Sequence, residues 1–177
     1  MMHRRAFLTA AGTLALSPFA SPARAAPASG GARPRVVIVG AGYGGATCAR
    51  YLKLWEPRVE VTLIEPNARF HSCPMSNTVL AGMNRLEDIS FPYDSLRKTV
   101  DRFVADTATR IDPDKRVVHT KGGASLPYDR LILATGSRPV IPRVPGCDKK
   151  GVATLKTLAD ADRLREARGR SAVVVGS

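Results

Sequence analysis

The chain has 177 residues, with 27 Lys and Arg against 15 Asp and Glu, a formal charge of +12. Bases and acids interleave, as in "DADRLREARGR", and only 6% of residues are aromatic, so no basic-aromatic ladder marks a nucleic-acid binder. Three cysteines and three histidines, without ligand spacing, exclude a disulfide scaffold and a metal cluster. A solvated basic surface, or an acidic protein partner, is what the charge leaves.

Residues 1–25 read as an export signal. Arg4 and Arg5 precede a mildly apolar run, and Ala23-Arg24-Ala25 ends it as a small-residue cleavage site. The paired arginines resemble the twin-arginine type, which predicts a periplasmic protein exported already folded. Removing these residues lowers the formal charge to +9, because they hold three arginines and no acid. The run is too short and too broken by Gly and Thr to span a bilayer, and no later stretch is apolar enough. Residues 26–34 form a flexible linker, and residues 35–140 carry the first domain.

"PRVVIVGAGYGGATCARYLKLWEP" predicts strand, Gly-rich turn and helix, with Pro57 ending the helix. The continuous apolar run Val36 to Val39 suits a parallel sheet covered on both faces. "VEVTLIE" predicts the second strand, a loop carrying Cys73 follows, and "DSLRKTVDRF" reads as a helix. "FVADTATRI", "RVVHT" and "ASLPYDRLILAT" are short extended runs separated by Asp-Pro and Gly-Gly, an antiparallel meander inserted after the first βαβ unit. It ends in "LILATG", which reads as a buried strand. "SRPVIPRVPGCDKKG" is a linker, and "TLADADRLREAR" begins with a capping box from Thr157 to Asp160. Residues 141–177 thus comprise this linker and the start of a second domain. "SAVVVGS" repeats the pattern of "RVVIVGA", with Gly176 standing where Gly40 does. The expectation is an α/β chain with one doubly wound domain nearly complete and a second dinucleotide domain just begun.

Gly40, Gly42 and Gly45 fit G-x-G-x-x-G, with Gly44 inside the same turn. Gly40 allows the tight turn, Gly42 the approach of a pyrophosphate, and Gly45 close helix–strand packing, with the helix N-terminus facing the phosphates. Glu65 ends the next strand, 25 residues after Gly40, where a carboxylate accepts ribose hydroxyls and repels a 2′-phosphate.

"YDRLILATGSRP" completes the pair of motifs. With the Gly-rich unit, it makes residues 35–177 resemble the pyridine nucleotide-disulfide oxidoreductase fold, the flavoproteins with two dinucleotide domains. The resemblance implies that the first unit binds FAD, that Ala134, Thr135 and Gly136 return to it, and that the backbone near Ala108 lies against the adenine.

"HSCPMSNTVLAG" is similar to a loop in the flavoprotein subunit of flavocytochrome c sulfide dehydrogenase. That likeness implies a thioether from Cys73 to the flavin 8α-methyl carbon, with Pro74 stiffening the loop. It also implies a small sulfur substrate and a c-type cytochrome partner. By the residues alone, Cys73 stays open between this anchor, a buried small residue and a structural disulfide. Cys48, among the alanines of the first helix, reads as core packing. Cys147 reads as a thiol available for pairing, and His71 as a local loop residue. No catalytic residue is assigned, since the likeness places the redox cysteine of the sulfur-oxidising branch beyond residue 177. The chain departs from that branch at "ATGS", and "VPGCDKKGVATLKTLADADRLREA" looks more like NAD(P)H-using reductases. An NAD(P)H-dependent reductase of a protein or quinone acceptor is therefore the second reading. A flavin-binding electron-transfer module without turnover of its own is the third.

Overall fold

Alternating side chains of one strand divide the core in two. That strand, β1 (Arg35–Val39), turns Val36 and Ile38 to one side and Val37 and Val39 to the other. The structure, a computed structural model, describes residues 31–166 and 171–175. The export signal expected in residues 1–25 lies outside the described residues. Helix α1 (Tyr43–Trp55) follows β1 and stops at Glu56, because the residue before Pro57 is pushed out of helical geometry. Then come β2 (Glu60–Ile64), a short β3 (Arg69–His71), a 3-10 turn (Cys73–Met75) and α2 (Ser76–Ala81). A second 3-10 turn (Leu86–Ile89) leads to β4 (Ser90–Pro92), α3 (Asp94–Thr99) and β5 (Arg102–Val104).

The main sheet has the order β5-β2-β1, with a fourth strand, β9 (Arg130–Leu133), beside β1, and every pairing in it is parallel. Three strands intervene in the chain: β6 (Ala108–Asp112), β7 (Val117–Thr120) and β8 (Ser125–Pro127), ahead of β9 (Arg130–Leu133). They form the expected antiparallel meander. It covers one face of the sheet, where Val118, Leu126 and Tyr128 pack on Val37, Val39 and Ile64. On the other face, Ala49 of α1 packs with Val61, Leu63, Tyr93 and Val100, and Cys48 lies against them as a packing residue. Helix α4 (Leu158–Glu166) opens with the expected reciprocal cap. Asp160 accepts from the Thr157 amide at 2.8 Å, and the Asp160 amide donates to Thr157 Oγ1 at 3.2 Å. Among the described residues, no helix is long and apolar enough to cross a membrane.

Four expectations change. The Cys73 segment is not a plain loop: β3 pairs with β4 in a separate two-stranded sheet, and the 3-10 turn and α2 follow at once. "DSLRKTVDRF" breaks after Thr99, because Arg102–Val104 pairs with β2 and a strand there completes the sheet. "LILATG" is an edge strand with one neighbour, so Leu133 is 61% exposed rather than buried. Residues 171–175 form no strand, and Val173 to Val175 are exposed, since an extended run without a partner strand has nowhere to place its backbone hydrogen bonds. Gly176 lies outside the described residues.

Candidate functional site

The C-terminal ends of the parallel strands gather the predicted residues. At this edge of an open α/β sheet, ligands meet helix N-termini. Gly40 leaves β1 with φ +99°, and its amide donates to the Ile64 carbonyl at 2.8 Å. A Cβ on Gly40 would stand 2.5 Å from the Ala134 oxygen, and one on Gly45 would stand 1.8 Å from the Gly40 oxygen. Both positions are closed to any side chain by backbone. Gly42 and Gly44 differ, since a Cβ on either would meet nothing within 4 Å. Their missing side chains leave free space over the turn. Gly42 is the N-cap of α1 and offers no side-chain cap, and the first turn holds no acid. Such a helix end keeps its amides and its positive pole for an anion. The turn therefore fits the pyrophosphate of a dinucleotide.

Glu65 is buried, and both of its carboxylate oxygens are engaged. Oε2 accepts from the Ala41 amide at 2.8 Å; Oε1 accepts from the Asn67 amide at 2.8 Å and from Asn67 Nδ2 at 2.7 Å. Beyond the ribose role expected from its position, the carboxylate clamps the Gly-rich turn to the end of β2. Asn67 was not singled out from the sequence; its amide and side chain close the clamp on Glu65 Oε1. Tyr93 lies close by, and burial first, then the negative charge of Glu65, push its hydroxyl up to about 12.

Ala134 donates its amide to the Val39 carbonyl at 2.8 Å, which brings the "ATG" end of β9 against Gly40. Thr135 and Gly136 follow it in the open, Gly136 with φ +79°. Ala108 starts β6 opposite Thr120 and packs, half-buried, in the cluster between sheet and meander.

Cys73 is exposed and unpaired by disulfide. It starts the 3-10 turn, with Pro74 next, and its carbonyl accepts from Ser76 Oγ at 2.7 Å. A side-chain tether links this segment to the Gly-rich turn: Tyr43 Oη and Ser72 Oγ lie 2.6 Å apart, and Ser72 is buried. The Tyr43 ring also meets Phe70 edge-on, with centroids 4.9 Å apart. Neither Tyr43 nor Ser72 was predicted, because a hydrogen bond across 29 residues has no local signature. Two cavities flank the tether's residues. One, of about 690 Å³, begins at Gly42 and Tyr43 and runs between α1 and α3 over Phe70 and Leu96. The other, of about 380 Å³, is lined by His71, Cys73, Ser76, Lys156 and Thr157. Cys147 stands apart in the linker as a half-buried free thiol.

With this geometry in view, the match to known proteins is decisive: the profile of the pyridine nucleotide-disulphide oxidoreductases covers residues 34–177. The chain belongs to this family. Its members are FAD-binding oxidoreductases, and the Rossmann-like sheet described above is theirs. The chain is 36% identical over 149 residues to the ferredoxin–NAD(+) reductase component of the biphenyl dioxygenase system of Paraburkholderia xenovorans. That alignment covers 80% of the chain and 36% of the relative. It is 35% identical over 106 residues to a sulfide-quinone reductase of Aquifex aeolicus, covering 59% of the chain and 25% of the relative. The solved sulfide:quinone oxidoreductase of Aquifex aeolicus superimposes with a TM-score of 0.68 at 30% identity, over 76% of this chain and 31% of that one. The chain thus spans about a third or less of the length of these relatives.

Proposed function

We propose that the chain is the FAD-binding part of an exported oxidoreductase that draws electrons from sulfide or a related sulfur compound. A c-type cytochrome would receive them. The observation that carries this reading is the position of Cys73: exposed, just past the Glu65 strand, and tied through Ser72 and Tyr43 to the turn that suits the pyrophosphate. Gly40, Gly42, Gly44 and Gly45 would cradle the phosphates, Glu65 would bound the ribose, and Ala134 to Gly136 would close over the cofactor. Ala108 would lie toward the adenine. Bound FAD would supply a two-electron store that a one-electron haem carrier empties in two steps.

Cys73 would join the flavin through its 8α carbon, with Pro74 restricting the backbone at the sulfur. Such a junction would break one S–H and one C–H bond and form one C–S bond. The two electrons released would pass to the cytochrome with the two protons going to water, or electrons and protons together would go to dioxygen. A covalent flavin suits export, because a compartment that makes no FAD cannot replace a lost one. The formal charge left after removal of residues 1–25, +9 from 24 bases and 15 acids, suits an acidic cytochrome surface.

Acid precipitation of the full-length protein tests the anchor. The yellow colour should stay with the polypeptide, and Cys73→Ser should release it. Free FAD in the supernatant of the unsubstituted protein would sink this reading. The export step rests on Arg4 and Arg5. Lysine at both positions should hold the precursor in the cytoplasm, and unchanged delivery would remove the periplasmic assignment. The identity to a ferredoxin–NAD(+) reductase component favours a second reading, an NAD(P)H-dependent reductase of a protein or quinone acceptor. Rapid flavin reduction by NADH, with none by sulfide, would select it.

A further inference from the structure

Tyr93 caps the start of α3 and lies in the core with only 7% of its surface exposed, in the cluster that holds Ala41, Val61 and Leu63. Its ring leans on Phe103, with centroids 5.4 Å apart. A tyrosine placed so deeply ordinarily finds a partner for its hydroxyl. Tyr93 has none among the described residues: burial and the charge of Glu65 set its acidity, with no hydrogen bond contributing. Every fully enclosed side-chain nitrogen and oxygen among those residues is paired, so an unpaired hydroxyl must open on free space. The space that Tyr93 lines is the cavity of about 690 Å³, which it shares with Ala41, Gly42 and Tyr43 at the entry to α1.

The surroundings say what this hydroxyl can meet. It keeps its proton up to about pH 12, so at neutral pH it is a donor without an acceptor. The charge of Glu65 reaches it, yet the carboxylate accepts from Ala41 and Asn67 instead. The entry to α1 has no side-chain cap and no acid in its first turn, so its amides also lack an acceptor. Donors from two elements thus border one cavity, and the group that answers both carries several acceptor oxygens. A neutral phenol suits this place, since a lysine or arginine beside Glu65 would pair with it and loosen the clamp on Ala41.

We propose that Tyr93 is a further cofactor-binding residue, whose hydroxyl donates to an oxygen of the dinucleotide's ribose–pyrophosphate stretch beside the α1 amides. This role rests on the FAD reading and adds to it a side-chain donor from α3, outside the Gly-rich motif.

Full-length protein made flavin-free in riboflavin-starved cells provides the test, with FAD and ADP as probes titrated by calorimetry. ADP carries the ribose and both phosphates but no flavin. Tyr93→Phe keeps the ring on Phe103 and should weaken both probes by about tenfold or more. The unfolding midpoint of the flavin-free protein should not fall, because the hydroxyl removed had no partner in the fold; a merely structural role would lower it. Equal affinities in Tyr93→Phe and the unsubstituted protein would overturn the proposal, as would a loss confined to FAD, which would put the hydroxyl on the flavin half. A midpoint that falls along with the affinities would overturn it too, by making the loss one of folding. If the unsubstituted protein binds neither probe, the FAD reading fails and this role with it, whereas tight binding that ignores Tyr93 defeats this role alone.

Discussion

The Gly-rich turn and the Cys73 segment differ in how much of their anchoring is backbone and how much is side chain. The turn is held by backbone: Gly40 and Gly45 are pressed against carbonyl oxygens, and the Ala41 amide is fixed by one buried carboxylate. The segment from His71 to Ser76 adds side-chain links to its backbone pairing with β4 and the bond from the Ser72 amide to the Ile89 carbonyl: Tyr43 with Ser72, His71 with Ser90, and Ser76 with the Cys73 carbonyl. A backbone lock tolerates no movement, whereas hydroxyl and imidazole links can loosen one at a time. The rigid part suits a group that must only be held. The adjustable part suits a residue that must reach a bond-forming distance.

Gly45→Ala sharpens this contrast most. Backbone must move to admit the methyl group, and a loss of about 3 kcal/mol or more is expected in chemical unfolding. Replacing Gly42 with Leu should leave the unfolding midpoint nearly unchanged while flavin content after purification falls, because the new side chain fills ligand space and not packed space. A flavin-loaded Gly42→Leu protein would contradict the placement of the pyrophosphate.

Asp101 provides a reference far from both regions, at the N-terminal end of the sheet. Its carboxylate accepts from Arg33 at 2.7 Å, Lys53 at 2.8 Å and the Val61 amide at 2.9 Å. Burial alone would raise its pKa, but the bonds from Lys53, Val61 and Arg33 together bring it down from 3.8 to about 2. The folded state holds this proton more weakly than the unfolded chain. The contribution is therefore full above pH 3.8 and fades as pH falls toward 2. Asp101→Asn should cost about 2 kcal/mol at neutral pH and flatten the acid limb of stability over that window. Should its acid limb overlay that of the unsubstituted protein, another carboxylate governs acid unfolding.

The smallest effect probes the side-chain links directly. Tyr43→Phe keeps the ring on Phe70 but leaves the buried Ser72 hydroxyl without this partner, at a cost of about 1 kcal/mol. Hydrogen exchange should quicken around residues 72–76 while the amides of Gly40 and Ala41 keep their protection. Equal loosening of both regions would show that they do not respond separately.

What the sequence made legible follows the same division. Gly40, Gly42, Gly45 and Glu65 were readable because backbone geometry imposes residue types at fixed spacing. The meander was readable from Asp-Pro and Gly-Gly between apolar runs, and the α4 cap from Thr157 and Asp160. Cys73 stood out through its neighbours, but the strand and helix around it did not, since three residues of β3 carry no periodicity of their own. Leu133 misled because an apolar run reads alike in a central strand and at an edge. Tyr43, Ser72 and Ser90 were out of reach, since their roles depend on partners 19 or 29 residues away that only the fold brings together.

The contact between Gly45 and the Gly40 carbonyl also limits how this protein can change over generations. A clash with a side chain can be relieved by trimming that side chain elsewhere in the gene. Here the obstruction is a peptide oxygen, and all twenty amino acids carry one. Suppressor selections from a Gly45→Ala parent should therefore yield true revertants almost alone, since no substitution at position 40 removes the oxygen.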